Sequence, residues 1–277
     1  MALSVADLDA IADTDFRIPL TPDVLRPALA SPPFIQTRTI ANLRDLGALP
    51  GSRLIETRFY RSGSLESATK DAHALAWLAS HVRRVFDLRL ESERKNALDP
   101  NVAGMDKIWH EVEQGYEVPS LDEFALDGGV EAWKKEYMNC AMAYRPTIRA
   151  VLEHVRDRPR EPILFHCTDG RDRTSVVAGL LHALAGSSFA ASTRDYMLSR
   201  IGTELGREKL HRYALASRHI DDPKTPGFYN LLSLRPEFWK AFHDGLEERF
   251  GGWDGYVTKA LGFSEAELAL VKENLRS

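Results

Sequence analysis

Short apolar runs alternate along the chain with longer stretches of helical periodicity. Val82-Arg-Arg-Val-Phe-Asp-Leu88 and Pro162-Ile-Leu-Phe-His166 are brief and apolar, and predict strands, the second of them central in its sheet. Arg53-Leu-Ile-Glu-Thr-Arg-Phe-Tyr60 alternates loosely and predicts another strand, running into a turn at Arg61-Ser-Gly-Ser-Leu65. Lys107-Ile-Trp-His-Glu-Val112 is a weaker strand candidate. Across 69–80, Ala72, Leu75, Ala76 and Ala79 recur at helical spacing with Asp71 in the first turn. Residues 128–156 read as helix, interrupted near Arg145-Pro146, where proline starts a second helix. The alanine-rich run 174–185 predicts an apolar helix stopped by Gly186. Most of the chain beyond Gly186 is helical, including 237–250 and 264–275, the latter opened by a capping box of Ser264 and Glu267.

A strand, a helix and a strand in that order imply a βαβ unit. The expected fold is therefore α/β, a central mostly parallel sheet flanked by helices, with a helical C-terminal portion. Asp221-Asp-Pro-Lys-Thr-Pro-Gly227 interrupts that portion as a loop rather than a linker, so 1–277 reads as one domain, with 1–35 as an N-terminal extension.

Composition narrows the classes. The 277 residues are 44% hydrophobic and 27% charged, ordinary for a soluble globular protein with a sizeable core. A net charge of -4 argues against nonspecific nucleic-acid binding, and the patch Arg156-Asp-Arg-Pro-Arg160 is short and broken by an acid, so it reads as a solvated loop. There is no low-complexity tract and no internal repeat. The stretch 1–9 lacks the basic region and apolar run of a secretory leader, and no run reaches the roughly 18 apolar residues of a membrane span. Two cysteines make no disulfide framework, so a reducing, cytoplasmic setting is expected, with Cys140 in the core.

Chemistry concentrates in Ile163-Leu-Phe-His-Cys-Thr-Asp-Gly-Arg-Asp-Arg-Thr174, a strand, then a loop from Cys167 to Arg173, then a helix start. A loop entering a helix N-terminus gathers backbone N–H groups into an anion cradle. That field favours the thiolate of Cys167 as nucleophile. Gly170 permits a tight turn against the phosphate, and Arg173 offers a planar fork to two phosphate oxygens. Thr168, Asp169, Gly170, Arg171 and Thr174 are expected to line the phosphate, while the Thr174 and Ser175 hydroxyls are placed to bond the sulfur. A cysteine that is merely a small buried hydrophobe explains neither the glycine nor two arginines on one turn.

His166-Cys167-x5-Arg173-Thr174 resembles the signature of the protein tyrosine phosphatase superfamily. The chain is similar, more narrowly, to the tyrosine/lipid phosphatases typified by the secreted phosphatase B of mycobacteria. Leu43-Arg-Asp-Leu-Gly47, Tyr60-Arg-Ser-Gly-Ser-Leu65, Phe86-Asp-Leu-Arg89 with Glu93, Asp195-Tyr-Met-Leu198, Arg235-Pro-Glu-Phe-Trp239 and Tyr256-Val-Thr-Lys-Ala-Leu-Gly262 extend the resemblance over roughly residues 37 to 275. The family loop usually reads Cys-x-Ala-Gly-Lys-Asp-Arg-Thr-Gly; Asp169, Arg171 and Ser175 depart from it here, and Asp169 gives the loop a partial likeness to myotubularin lipid phosphatases.

The resemblance implies that Asp172 protonates the leaving oxygen; Asp127 and Asp122, in a polar stretch where an acid-bearing loop could sit, are the reserve candidates. It also implies candidate lid helices over 200–232, where Leu210, Tyr213 and Leu215 either pack such a lid or belong to the permanent core. Asp87 and Arg89 close a predicted strand, where ligand crevices form in open sheets; they either fix the loop or contact the substrate, or else form an ordinary salt bridge. Arg44, Asp45 and Arg61 raise the same choice. His166 is expected to order the loop. The histidines show no metal-ligand spacing, so no metal and no cofactor are expected. The expected activity is phosphomonoester hydrolysis through a phosphocysteine, with phosphotyrosine on a protein as the default substrate and phosphoinositides or a small phosphorylated metabolite as alternatives. No nucleic-acid partner and no stable membrane insertion are expected. A non-catalytic phospho-ligand module and a rhodanese-like sulfur transferase are the readings of other classes.

Overall fold

A computed structural model describes residues 2–113 and 115–276; Met1, Gln114 and Ser277 of the 1–277 reading lie outside the described residues. Helices α1 (Val5–Ala12) and α2 (Pro22–Leu29) precede the sheet. Then come β1 (Arg44–Asp45), β2 (Phe59–Ser62), α3 (Ala72–His81), β3 (Arg84–Asp87), α4 (Glu91–Asn96) and β4 (Asp106–Trp109). They are succeeded by α5 (Leu121–Ala125), α6 (Val130–Ala143), α7 (Arg145–Asp157), β5 (Ile163–His166) and α8 (Asp172–Ala185). The C-terminal portion holds α9 (Phe189–Gly202), α10 (Arg207–Ser217), α11 (Phe228–Leu232), α12 (Pro236–Phe250), α13 (Gly252–Gly255) and α14 (Glu265–Asn274).

The sheet order is β1-β2-β5-β3-β4, with β1 antiparallel and the other pairings parallel, the expected α/β architecture of a mostly parallel sheet flanked by helices. The expected βαβ unit is present, but β2 and β3 are not neighbours: β5 slots between them, with Leu164 opposite both Tyr60 and Val85. Ile163, Leu164 and Phe165 are wholly buried, as a strand covered on both faces requires. The C-terminal end of this central strand delivers Cys167, where a parallel sheet opens its ligand crevice.

Two boundaries differ from expectation for a physical reason. The strand expected over 53–60 is β2, Phe59–Ser62; residues 53–56 instead pack through Leu54, and the Ile55 N–H donates to the Leu275 carbonyl. Arg61 and Ser62, which read as a turn in the sequence, are fully buried strand residues. The helix expected at 69–80 starts at Ala72, because the Asp71 carboxylate accepts from the His73 and Ala74 N–H groups and caps it there. The weaker strand candidate at 107–112 is realised only in part, as β4 at Asp106–Trp109, while the remaining helix boundaries follow the periodicity. The break between α6 and α7 falls at Tyr144 with Pro146 in the first turn of α7, Gly186 ends α8 at φ 79°, and Ser264 and Glu267 form the capping box of α14.

One core cluster runs from Leu8 and Ala12 of α1 through β5 and α8 to Leu275, so the N-terminal helix shares apolar packing with the sheet's helices. A small separate cluster of Phe16, Ala214, Phe228 and Leu232 seats α10, with Leu210 and Leu215 against it and Tyr213 mostly exposed. The chain before α2 is strapped across α9 and α10: Arg200 donates to the Thr14 and Ile18 carbonyls, and Arg207 to that of Phe16, whose ring both guanidinium groups approach. No helix among the described residues is long and apolar enough to cross a membrane.

Candidate active site

The loop from Cys167 to Arg173 joins β5 to α8, and its carbonyls and amides face different partners. Every carbonyl from Cys167 to Arg171 accepts a hydrogen bond, that of Cys167 from the His166 ring. Thr168 accepts from the Ser64 N–H at 2.9 Å. Asn42 Nδ2 donates to the Asp169 and Gly170 carbonyls at 3.3 and 2.8 Å. Arg61 Nη2 donates to those of Gly170 and Arg171 at 2.6 and 3.2 Å. Among the described residues, by contrast, none of the N–H groups of Thr168 to Arg171 donates to a protein acceptor. Free donors beside a sulfur, at the N-terminus of a 14-residue helix, make an anion site.

Gly170 is needed for this peptide orientation. Its φ is +64°, and a Cβ there would lie 2.2 Å from the Ser62 carbonyl oxygen.

The clamp behind the loop is a buried charge cluster. Asp195 of α9 accepts from Arg44 Nε at 2.8 Å and from Arg61 Nη1, while Arg44 Nη2 reaches the Ser199 hydroxyl. Burial works to raise the Asp195 carboxyl, but the two guanidinium groups outweigh it and hold it well below the usual carboxylate range. Arg44 also donates to Asn42 Oδ1, orienting the amide that grips the loop. Asp45 takes no part and instead accepts from the Gly47 and Thr57 N–H groups. Of the two roles open to Arg44 and Arg61, the structure gives both the scaffold, behind the loop rather than in the crevice.

In front, Arg173 is held in a two-pronged pair by Glu93 of α4, at 2.6 and 2.9 Å, and its Nη1 also donates to the Leu88 carbonyl at 3.1 Å. Glu93 further accepts from the Thr168 hydroxyl at 2.5 Å. Burial alone would raise the Glu93 carboxyl; Arg173 and Thr168 together outweigh it and bring it down to about 2. Cys167 is buried at the base of the loop.

Asp172, at the first position of α8, accepts from the Tyr137 hydroxyl at 3.1 Å and from Arg171 Nε at 3.1 and 3.2 Å; about 29% of its side chain is exposed. Asp169 is partly buried, and burial pushes its carboxyl up, with Arg171 and Arg173 opposing. No hydrogen bond among the described residues joins Asp122 or Asp127 to the loop.

Several expected contacts fall elsewhere. The Arg171 guanidinium is buried and donates to the Leu231 and Leu232 carbonyls over the Trp133 ring, so its charge anchors α11 rather than facing the crevice. The Ser175 hydroxyl accepts from Arg61 at 2.9 Å on the back of the loop. The Thr174 hydroxyl is buried with no hydrogen-bond partner.

His166 sits behind Cys167 in a second buried network. Its Nε2 meets Asp99 at 3.0 Å and its Nδ1 the Cys167 carbonyl at 3.2 Å. Burial works to lower the imidazole, but Asp99 and Asp87 outweigh it and raise it above the usual histidine range. As an imidazolium it donates from both nitrogens. Arg89 completes the set, bonding Asp87 at 2.8–2.9 Å and Asp99 at 2.9 Å. Asp87, Asp99 and His166 each bring a ligand-type atom within 4.8 Å of the others, but Arg89 and the His166 imidazolium together balance the two carboxylates, leaving little charge there to attract a cation.

Glu93, Asp99, Tyr137 and Asn42 are the site residues whose parts here were not legible in the sequence. Glu93 stood only as a matching position, and the others carried no local signal, because each meets the loop from 35 to 128 positions away. Glu136 is another: buried, accepting from the Tyr116 hydroxyl, its second oxygen unpartnered. Cys140 beside it is core as expected, and burial pushes its thiol well up.

The arrangement is an amide cradle, a sulfur at its base, a guanidinium at its rim and two carboxyls beside it, suited to a phosphate ester. A profile of the tyrosine phosphatase family matches residues 35–277. A tyrosine-protein phosphatase of Nostoc commune is 27% identical over 236 residues, covering 82% of this chain and 76% of its own length. A putative tyrosine-protein phosphatase of Cupriavidus necator is 27% identical over 248 residues, covering 83% of this chain and 85% of its own. With its cradle formed at the end of a central parallel strand and the profile spanning all but the first 34 residues, this chain belongs to the tyrosine phosphatase family.

Proposed function

We propose that this phosphatase hydrolyses phosphomonoesters through a phosphocysteine, with phosphotyrosine as its substrate class. The observation that carries the reading is the one-sided loop: carbonyls tied behind, amides free in front, around Cys167. The Cys167 sulfur attacks phosphorus in line with the ester oxygen, the P–O bond breaks, and a proton from Asp172 passes to the leaving oxygen. Water then attacks the phosphocysteine, Asp172 takes its proton, the S–P bond breaks and inorganic phosphate departs. Arg173, already aimed by Glu93, and the loop amides hold the equatorial oxygens in both steps.

Tyr137 and Arg171 fix the orientation of the Asp172 carboxyl, from which the leaving oxygen takes its proton. Asp169 is the alternative proton carrier, favoured by the burial that raises its carboxyl. The Thr174 hydroxyl, left without a protein partner, is free to donate to the sulfur as it leaves phosphorus. This reading treats residues 1–277 as one catalytic domain, with 200–232 covering the crevice, working in a reducing cytoplasm.

Phosphate release from phosphotyrosine peptides, phosphoserine peptides, phosphoinositides and nucleotides is the test. Preference for phosphotyrosine, loss in Cys167→Ser and inhibition by vanadate are expected. Preference for phosphoinositides would overturn the substrate assignment, and full activity in Cys167→Ser the chemistry.

A further inference from the structure

A cavity of about 970 Å³ lies between the N-terminal segment, α3 and the start of α10, and no residue of the loop from Cys167 to Arg173 lines it. We propose that it binds a single-chain anionic amphiphile, the acyl chain inside and the acidic head at the mouth. Its volume is that of a ligand site for a drug-sized molecule. Leu20, Leu25, Leu29, Phe34, Ile40 and Trp77 supply an apolar lining, and Leu205, 70% exposed, extends it to the rim.

The charges at the mouth are uneven. Of the lining acids, Asp71 is committed to the N-cap of α3 and to the Thr39 hydroxyl, and Glu204 to Arg200 and the Leu20 N–H. Glu208 alone among them is uncommitted. Among the described residues, Arg38 forms no ion pair or side-chain hydrogen bond, and Arg26 has only a loose exposed pair with Asp23 at 3.9 Å. Two exposed guanidinium groups above an apolar pocket, on a chain of net charge -4, complement an acidic head rather than a neutral one. A protein partner is the poorer occupant, since the space is concave and walled on several sides.

The site is additional to the family's chemistry. The wall from Pro19 to Phe34 precedes residue 35, where the family profile begins. It nevertheless touches the catalytic loop through Asn42, which lines the cavity and donates to the Gly170 carbonyl.

The full-length protein is titrated with cis-parinaric acid below its micellar concentration, tracking fluorescence enhancement, and with its methyl ester as the neutral control. Saturable binding of the acid, about tenfold tighter than the ester, is expected. It should persist in Cys167→Ser and weaken about tenfold in both Arg38→Glu and Leu205→Glu, exposed positions where folding tolerates the change. No saturable enhancement would overturn the site. Equal affinity for acid and ester, with Arg38→Glu unaffected, would overturn the acidic head. Sedimentation showing a dimer that Leu205→Glu dissociates would assign the cavity to a second copy of the chain and overturn the amphiphile.

Discussion

Behind the loop from Cys167 to Arg173, Arg61, Asn42 and Ser64 fill its carbonyls, and the two side-chain donors are fixed in turn by the buried Asp195 and Arg44. In front, the amides have no protein partner and Arg173 is held at a partly exposed carboxylate, within reach of a ligand. At the back all but one of the polar atoms of Arg44, Arg61 and Asn42 are paired, Arg61 Nε being the exception; at the front the amides stand open. Saturating the carbonyls on one side is what keeps the amides turned to the other, so the rigidity of the back is the source of the reactivity of the front.

Breaking the back should cost most in stability. Arg61→Met strips the Gly170 carbonyl of its shortest bond and leaves Asp195 to Arg44 alone, and should lower unfolding free energy by about 3–5 kcal/mol in urea titrations. Wild-type stability with lost activity would mean that Arg61 serves the chemistry and not the scaffold. The front should answer the other way. Arg173→Lys keeps the charge but loses the fork, and should reduce kcat about 10²–10³-fold with a smaller stability loss than Arg61→Met. Equal stability losses would erase the contrast between the two sides.

Asp172→Asn sharpens the comparison within the front. Turnover of esters with poor leaving groups should fall about 10²-fold, while activated aryl phosphates suffer less. If Asp169→Asn shows that pattern and Asp172→Asn does not, the proton carrier is Asp169.

The smallest effect belongs to His166. Its folded-state proton affinity is raised, so its contribution to stability is fully present below about pH 6.5 and is lost as pH rises through the folded value. Denaturation midpoints should therefore fall on the alkaline side of neutrality, and Asp99→Asn should flatten that slope. A slope unchanged in Asp99→Asn would detach the pair from the loop's stability.

How much of the molecule was legible in its sequence is a matter of range. β3, β5 and α8 were readable because apolar runs and a glycine stop are local, and Cys167, Gly170 and Arg173 because the motif is contiguous. The end of β2 was not, because Arg61 lies buried in a strand only by virtue of carbonyls 109 and 110 positions away. Nor did the motif tell which arginine faces the crevice: Arg171 and Arg173 lie two apart, yet one anchors α11 and the other meets Glu93. Hydrophobic periodicity cannot see a buried polar network, since its partners are brought together only by the fold.

The most direct test is to mix enzyme with an aryl phosphate, quench in acid within a turnover, and weigh the peptide carrying Cys167. The account predicts one added phosphoryl group on that cysteine, absent in Cys167→Ser and accumulating in Asp172→Asn when the leaving group is good. Turnover at the normal rate with that peptide unmodified at every quench time would contradict it.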